Sequence, residues 1–541
     1  MRKCVKMTSK PSILRWTILA VVGIISVWGN SEEAVGATFD KQGTQWAPFL
    51  EWSLDNSTYS GNPYDLVATA TFVHAGTGET RTTEMFYAGG TTWKFRFTGT
   101  RTGTWSFTTA SSDSDLSGHS GVVTINPNPN PDIKGFISTH GNKFARQSGS
   151  PDEKEGFVPN VYMNLIDFGT SNECGWTDIS PTFQNSSTRT NYLNEVEEHG
   201  SNGVFALIVN QWFKAHADGY DQHNSEDPDP ETFEALESTI VDAHQRGMFV
   251  HIWVWGDQAR KWTPVGVGGV NGIPDQRIQR YVAARLGPLP GWMMSYGFDL
   301  GEWASESEVK SWADYLHSHM GWRHLLMGRK RKNSSMDVES NDSRVDSGFY
   351  NNAKNRLSSS NRPIIYERRF GYKRDGVWDM DTTRRAFWEF TLAGGAASMW
   401  GFYPKSCVAY NGRPYSKPEQ LRTYAQFWKD RFLLDFERHV ELTNGHALAT
   451  PSRSHFVFYD DATSSITMDL SGATGELSAI AVDTKKNYAE IDLGRLSATN
   501  QTWNAPNNSD WAIAVGDFST TSSQPDNTPP AVPAGLQFTE N

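Results

Sequence analysis

The chain has 541 residues, enough for several domains and a large buried core. Its net charge of -12 excludes a generic nucleic-acid binder, which would be basic. There is no C-x-x-C pair, zinc-finger spacing, P-loop or G-x-G-x-x-G turn, so neither a cofactor nor a metal is expected. In chain order, residues 1–37 read as an export signal. Arg2, Lys3, Lys6, Lys10 and Arg15 precede an apolar stretch, Trp16 to Trp28, that is too short for a comfortable membrane span. Val35-Gly36-Ala37 supplies the small residues of a cleavage site. A secreted, periplasmic or cell-surface protein is therefore expected, free of the membrane once cleaved. An uncleaved anchor is the alternative.

Residues 38–128 read as a β-sandwich. Short runs such as Asp65 to Val73 and Trp93 to Phe97 alternate or are β-branched, between Gly, Asn, Ser and Thr turns. The stretch Asn126-Pro-Asn-Pro-Asn-Pro-Asp132 opens a linker placed at 129–154. From 155 to 435 apolar strands alternate with helical segments, the signature of βα units. Strands are predicted at Val158–Ile166, Val204–Asn210, Phe249–Trp255, Met293–Leu300, Leu325–Gly328, Ile364–Tyr366 and Ala396–Phe402. A weak one is placed near Val338 or at Val345–Tyr350. About eight strands is what a (β/α)8 TIM barrel needs. One helix is well marked: Asp229 caps it, Pro230 suits its first turn and Gly247 its stop. Residues 436–518 return to short β runs and read as a second small sandwich, followed by a polar, Pro-rich, disordered tail at 519–541.

Two strand ends carry the chemistry. One apolar run closes on Phe298-Asp-Leu-Gly-Glu-Trp303, the other on Ile364-Ile-Tyr-Glu-Arg-Arg369. Barrel strands converge their C-terminal ends on one face, so Glu302 on the fourth strand and Glu367 on the seventh could meet there. A retaining glycosidase holds two carboxylates about 5 to 5.5 Å apart, one as nucleophile and one as acid/base. Glu367, followed by Arg368 and Arg369, suits the ionised nucleophile. Glu302, followed by Trp303, suits a general acid raised by apolar burial. Asp299 competes with Glu302 for that role, and each Glu could instead serve a buried ion pair.

Other polar and aromatic strand-end residues are candidate sugar contacts: Asn164, Asn210, Trp212, Trp255, Asp257, Trp303, Arg368 and Trp400. The 21 Trp make stacking on pyranose faces plausible, though Trp also fills β-rich cores. His251, inside the third strand, reads as a core histidine. Asp379 and Asp381 are a weak metal signal. The basic runs Arg329–Lys332 and Arg368, Arg369, Lys373, Arg374 suit an anionic glycan, uronic or sulfated, or else a solvated loop. Cys174 and Cys407 are either a disulfide or two unpaired thiols.

Trp52, Asn62-Pro-Tyr-Asp65, Phe86-Tyr-Ala-Gly-Gly90, Trp93 to Phe97 and Gly103-Thr-Trp105 resemble the β-sandwich of unknown function that precedes many bacterial polysaccharide-degrading barrels. Asp229-Pro-Glu-Thr-Phe through Trp255-Gly-Asp257 resembles the apiosidase-like, clan A type of (β/α)8 glycoside hydrolase. Asp510-Trp-Ala-Ile-Ala-Val resembles the small sandwich that often follows such barrels. The resemblance implies an acid/base Glu at the end of strand four and a nucleophile Glu at the end of strand seven, here Glu302 and Glu367. Clan A enzymes usually place Asn before that acid/base, whereas this chain has Gly301. Apiosidase-like relatives use an Asp on strand four, which keeps Asp299 in play.

The expected protein is thus a monomeric, exported retaining glycosidase acting on a polysaccharide or oligosaccharide. The alternatives are a barrel that binds glycans without cleaving them and a polysaccharide lyase, which would need a Tyr or His base.

Overall fold

A computed structural model describes residues 39–162, 183–213, 226–256, 258, 262–329, 334–341, 345, 347–369, 380–400 and 417–518, with backbone only at 210, 368, 369, 380 and 397–400. Residues 1–37, expected to be an export signal, the tail at 519–541, Cys174, Cys407, Asp379 and Lys330–Lys332 lie outside these residues. No helix among the described residues is long and apolar enough to cross a membrane.

Eight parallel strands form the centre: β1 (Val161–Tyr162), β2 (Gly203–Leu207), β3 (Phe249–Trp255), β4 (Trp292–Gly297), β5 (Leu326–Met327), β6 (Glu339–Asn341), β7 (Ile364–Arg369) and β8 (Ala396–Trp400). Strands β1 to β5 pair in order, as do β6 to β8. A parallel bridge from Met327 to Val338 joins the two sets, and β8 lies beside β1, closing a barrel. Among the described residues seven helices follow the strands: α1 (Ser186–Glu198), α2 (Pro230–Gln245), α3 (Ile273–Arg285), α4 (Glu306–His319), α5 (Phe349–Ser358), α6 (Met380–Leu392) and α7 (Pro418–Trp428).

Side-chain alternation assigns each strand residue to one of two cores. On β3, Phe249 and Trp253 face the lumen with Phe205, Met293, Met327 and Ile365. Val250, Ile252 and Val254 face the helices with Leu236, Ile240 and Val282. Both faces are buried, which is why these strands read as unbroken apolar runs. The helix caps follow sequence. Asp229 accepts from the Glu231 and Thr232 amides to start α2, and Ser305 with Glu308 forms a capping box on α4.

The stretch expected to be a linker is structured. Ile137–His140, Lys143–Gln147 and Lys154–Gly156 form a three-stranded antiparallel sheet. Its Ile137 and Phe144 join the lumen cluster, and Phe157 sets its ring edge against Phe249, the first residue of β3, at 5.5 Å. The sheet therefore closes the N-terminal end of the barrel. The Asn-Pro run concealed it, because the strands are only three to five residues long.

Residues 41–126 form a five-stranded and a three-stranded sheet whose inner faces share one cluster, including Trp52, Phe72, Phe95 and Phe107. This unit is tied to α2 and α3 by buried charge. Arg96 meets Glu51 at 2.7 Å and Glu237 of α2 at 2.9 Å, and its guanidinium lies 3.9 Å over the Phe49 ring. Burial opposes the Glu237 charge, yet Arg96 and Arg285 hold its carboxyl below the ordinary range. Removing one partner of such a network costs about 3–5 kcal/mol, because it strands a buried charge.

Residues 437–515 form one six-stranded antiparallel sheet, rather than the separate sheets of the expected small sandwich. Its strands Phe456–Asp469 and Asn500–Val515 are long and broken by register shifts, and bulges of this kind let a single sheet bend over itself. Phe456 and Phe458 face the sheet's own cluster, while Val457 and Tyr459 pack on the barrel helices. Arg384 of α6 donates to Asp510 from this sheet, and both side chains are buried.

Candidate active site

Strand β7 begins with Ile364, Ile365 and Tyr366. Ile365 belongs to the lumen cluster and Tyr366 to the helix-facing one, so alternation turns Glu367 into the lumen. It pairs in register with Ser398 of β8 and is 1 % exposed. Its carboxylate has a cationic neighbour: Arg329 Nε stands 3.8 Å from Glu367 Oε2. Arg329 lies two residues beyond Met327, a lumen residue of β5, and the same period brings it inward. It is buried, not solvated. For Arg329 this replaces the reading of a solvated loop residue with no role. A buried cation favours the ionised carboxylate.

Strand β4 ends differently. The strand stops at Gly297, and a short 3-10 turn, Leu300–Glu302, carries the chain outward. Asp299 enters this turn in the left-handed region, with φ 51°. It is half-buried, whereas Glu302 is exposed. The apolar burial expected for Glu302 is therefore absent, because the turn lifts it clear of the strand. Trp303 takes the covered position instead. Its Nε1 donates to the Gly256 carbonyl at 3.2 Å, and its ring stands 5.6 Å from Tyr296. Because every strand is parallel, the β4 turn and Glu367 lie toward the same, C-terminal end of the barrel.

A second strained residue follows β2. Val209 has φ 54°, an outlier for a β-branched side chain, at the start of the turn that carries Asn210. Backbone strain of this kind clusters at functional sites. No sequence motif announced it.

Two of the expected sugar contacts are placed elsewhere. Trp212 and Trp255 are fully buried in the helix-facing core. Trp212 Nε1 donates to the Val254 carbonyl and Trp255 Nε1 to Asp275, so neither ring offers a face to a sugar. Both are core filler, the other known use of Trp. Asn164 and Asp257 lie outside the described residues, as do the side chains of Asn210, Arg368 and Trp400. Asp381 is taken up by an ion pair with Arg384 at 2.7 Å. No cluster of potential metal ligands exists among the described residues.

His251 shares a hydrogen bond with Ser295 of the neighbouring strand β4 at 2.9 Å, and burial drops its imidazole to about 3, so it is a neutral core group. Asp275, in the first turn of α3, was not foreseen. It is fully buried and accepts from Trp255 Nε1 (3.2 Å), Tyr296 Oη (2.9 Å), the Asn271 amide (2.9 Å) and Gln279 Nε2 (3.2 Å).

Comparison with known proteins fits this architecture. The family described as "Domain of unknown function (DUF5060)" matches residues 42–112, within the first β unit. No curated protein matches the chain. Among solved structures, a "putative glycoside hydrolase" from Bacteroides vulgatus ATCC 8482 superposes with a TM-score of 0.65 at 15% identity, covering 88% of this chain and 99% of that one. A glycoside hydrolase family 5 protein from the same strain gives a TM-score of 0.52 at 14% identity, covering 71% and 94%. A third, described as "Glycoside hydrolase", gives 0.53 at 14% identity, covering 71% and 97%. At these identities the shared property is the fold.

Proposed function

We propose that this chain is an exported glycoside hydrolase of the clan A, apiosidase-like kind, which cleaves O-glycosidic bonds of a polysaccharide with retention. The observation that carries the reading is Glu367: a carboxylate buried in the barrel lumen, on the seventh strand, with Arg329 beside it. The fold shared with glycoside hydrolases supports it.

In the proposed reaction, ionised Glu367 attacks the anomeric carbon while an acid on the β4 turn gives its proton to the departing oxygen. The resulting glycosyl ester is hydrolysed by water, which returns a proton to the same acid. Asp299 and Glu302 both remain candidates for that acid. Asp299 is the more enclosed and sits on the strained residue; Glu302 matches the clan A position. Trp303, and by sequence position Asn164, Asn210, Asp257, Arg368 and Trp400, would line the sugar cleft.

An anionic glycan is the proposed substrate class, resting on Arg368, Arg369, Lys373 and Arg374, since Arg329 is engaged with Glu367. The flanking β units are proposed as separate modules around the barrel of a monomer.

The test is reducing-end release by residues 38–518 on neutral, uronic and sulfated polysaccharides, with Glu367→Gln as control. Release by the parent alone is expected, strongest on a charged polymer. Equal release by the variant would sink the assignment of Glu367.

A further inference from the structure

We propose that Asp275 is the positioning residue for the acidic turn at the end of β4, acting through Trp255, Tyr296 and Trp303. The inference deepens the glycosidase reading and rests on it for its catalytic meaning.

Asp275 sits on α3, yet its four hydrogen bonds reach three other places. Trp255 is the last residue of β3, Tyr296 is the penultimate residue of β4, and Asn271 lies in the loop before α3 with φ 57°. One carboxylate thus fixes the C-terminal ends of two neighbouring strands. All four partners donate, so only an acceptor with two oxygens satisfies them.

The path onward to the turn is short. The Tyr296 ring contacts Trp303, the residue after Glu302. Trp303 also lies over Gly297, where an added Cβ would come within 3.0 Å of Trp303 Cζ2 and 2.9 Å of the Trp255 carbonyl oxygen. The turn is further tied by Glu302 N to the Asp299 carbonyl and by Ala304 N to that of Leu300, each at 2.9 Å. Phe298 and Leu300, on either side of Asp299, are buried and hold the chain at that point. Trp303 below the turn, and what holds Tyr296, supply the rest of the support on the Glu302 side.

This makes Asp275 more than core filler. A buried carboxylate is a costly way to join two strands when apolar packing would serve. What it adds is orientation, because hydrogen bonds fix the two ring planes in a way that packing does not.

The experiment compares the parent with Asp275→Asn and the milder Tyr296→Phe, which removes one bond but keeps the ring. Two readouts are taken on folded full-length chains. The first is the fluorine NMR signal of Trp303 in 5-fluorotryptophan-labelled protein, assigned with Trp303→Phe. The second is kcat/KM on a dinitrophenyl glycoside and on an unactivated glycoside of the responding sugar.

The expected result is a displaced Trp303 signal in both variants. kcat/KM should fall about 10- to 10²-fold on the unactivated substrate and stay near the parental value on the dinitrophenyl one, whose departure needs no proton from the enzyme. A Trp303 signal that stays in place overturns the proposal. So does an equal loss on both substrates, since that marks a general structural role. If the parent cleaves neither substrate, the glycosidase reading fails, and the NMR signal alone still decides whether Asp275 positions the turn.

Discussion

The ends of β7 and β4 present the same kind of side chain in opposite settings. Glu367 is held within a strand, buried, with a guanidinium 3.8 Å away. Asp299 and Glu302 ride on a turn outside the strand, one half-buried on a strained backbone and one exposed. The contrast matches the two tasks of the proposed reaction. A nucleophile must stay ionised and fixed, and a strand with a buried cation does both. An acid must reach a leaving group, release its proton and later activate water, which a turn open to solvent allows.

The largest expected effect breaks the β7 side. Glu367→Gln should lower turnover on the order of 10⁴-fold, the scale on which an essential nucleophile acts. It should also lower stability, because the buried Arg329 would lose the carboxylate charge 3.8 Å from it. Kinetics and thermal melts on the same preparation test both. A variant with parental activity would move the nucleophile elsewhere.

The next sharpens the β4 side. Of Asp299→Asn and Glu302→Gln, the one that removes the acid should slow unactivated substrates about 10²- to 10⁴-fold, and the other should cost little. Equal, small losses from both would take the acid off this turn. Removing the β7 cation should then change the pH profile rather than the ceiling. In Arg329→Met the Glu367 carboxyl loses a neighbouring positive charge that favours its ionised form. The acid limb of kcat/KM should move to higher pH. A limb that stays put would show that Arg329 does not tune Glu367.

Sequence and structure agree where local physics decides and part where distant contacts do. Strand β3 was legible to the residue, Phe249–Trp255, because a strand buried on both faces must be apolar throughout. Strand β6 was faint: Glu-Ser-Asn at 339–341 carries no apolar signal, so only Val338 before it marked the place, and the other run considered, Val345–Tyr350, ends in the helix Phe349–Ser358. The pairing of Arg329 with Glu367 could have been inferred from period two on β5, with Met327 inward and hence Arg329 inward. It was hidden by three further basic residues that made the run look solvated. Nothing local marks Asp275. A Pro-Asp at a helix start reads as a routine first turn, and its partners on β3 and β4 are about 20 residues away.

Asp275 also makes a smaller prediction about the β3–β4 end. Burial pushes its carboxyl up to about 6, against the pull of its four donors. The folded state therefore holds this proton more tightly than the unfolded chain, whose value is near 3.8. Its contribution is fully present below about pH 4 and is lost as pH rises through 6. Denaturant unfolding of the parent minus that of Asp275→Asn should isolate this slope from other acids. A difference that is flat between pH 4 and 6 would mean that the donors outweigh burial.

The smallest effect tests the strain itself. Asp299 occupies the left-handed region, which glycine adopts freely and other residues at some cost. Asp299→Gly should relieve that cost without disturbing the strand, since the residue lies two positions beyond its end. The larger freedom of glycine in the unfolded chain offsets part of the gain. The net should be a stabilisation of less than about 1 kcal/mol, read from denaturant midpoints at constant m. If Asp299 is the acid, this variant is more stable and less active, the trade expected where strain is kept for function. If Glu302 is the acid, stability rises and turnover holds unless the freed turn also misplaces Glu302. Asp299→Asn separates those cases, because Asn tolerates the same φ and keeps the turn while removing only the charge.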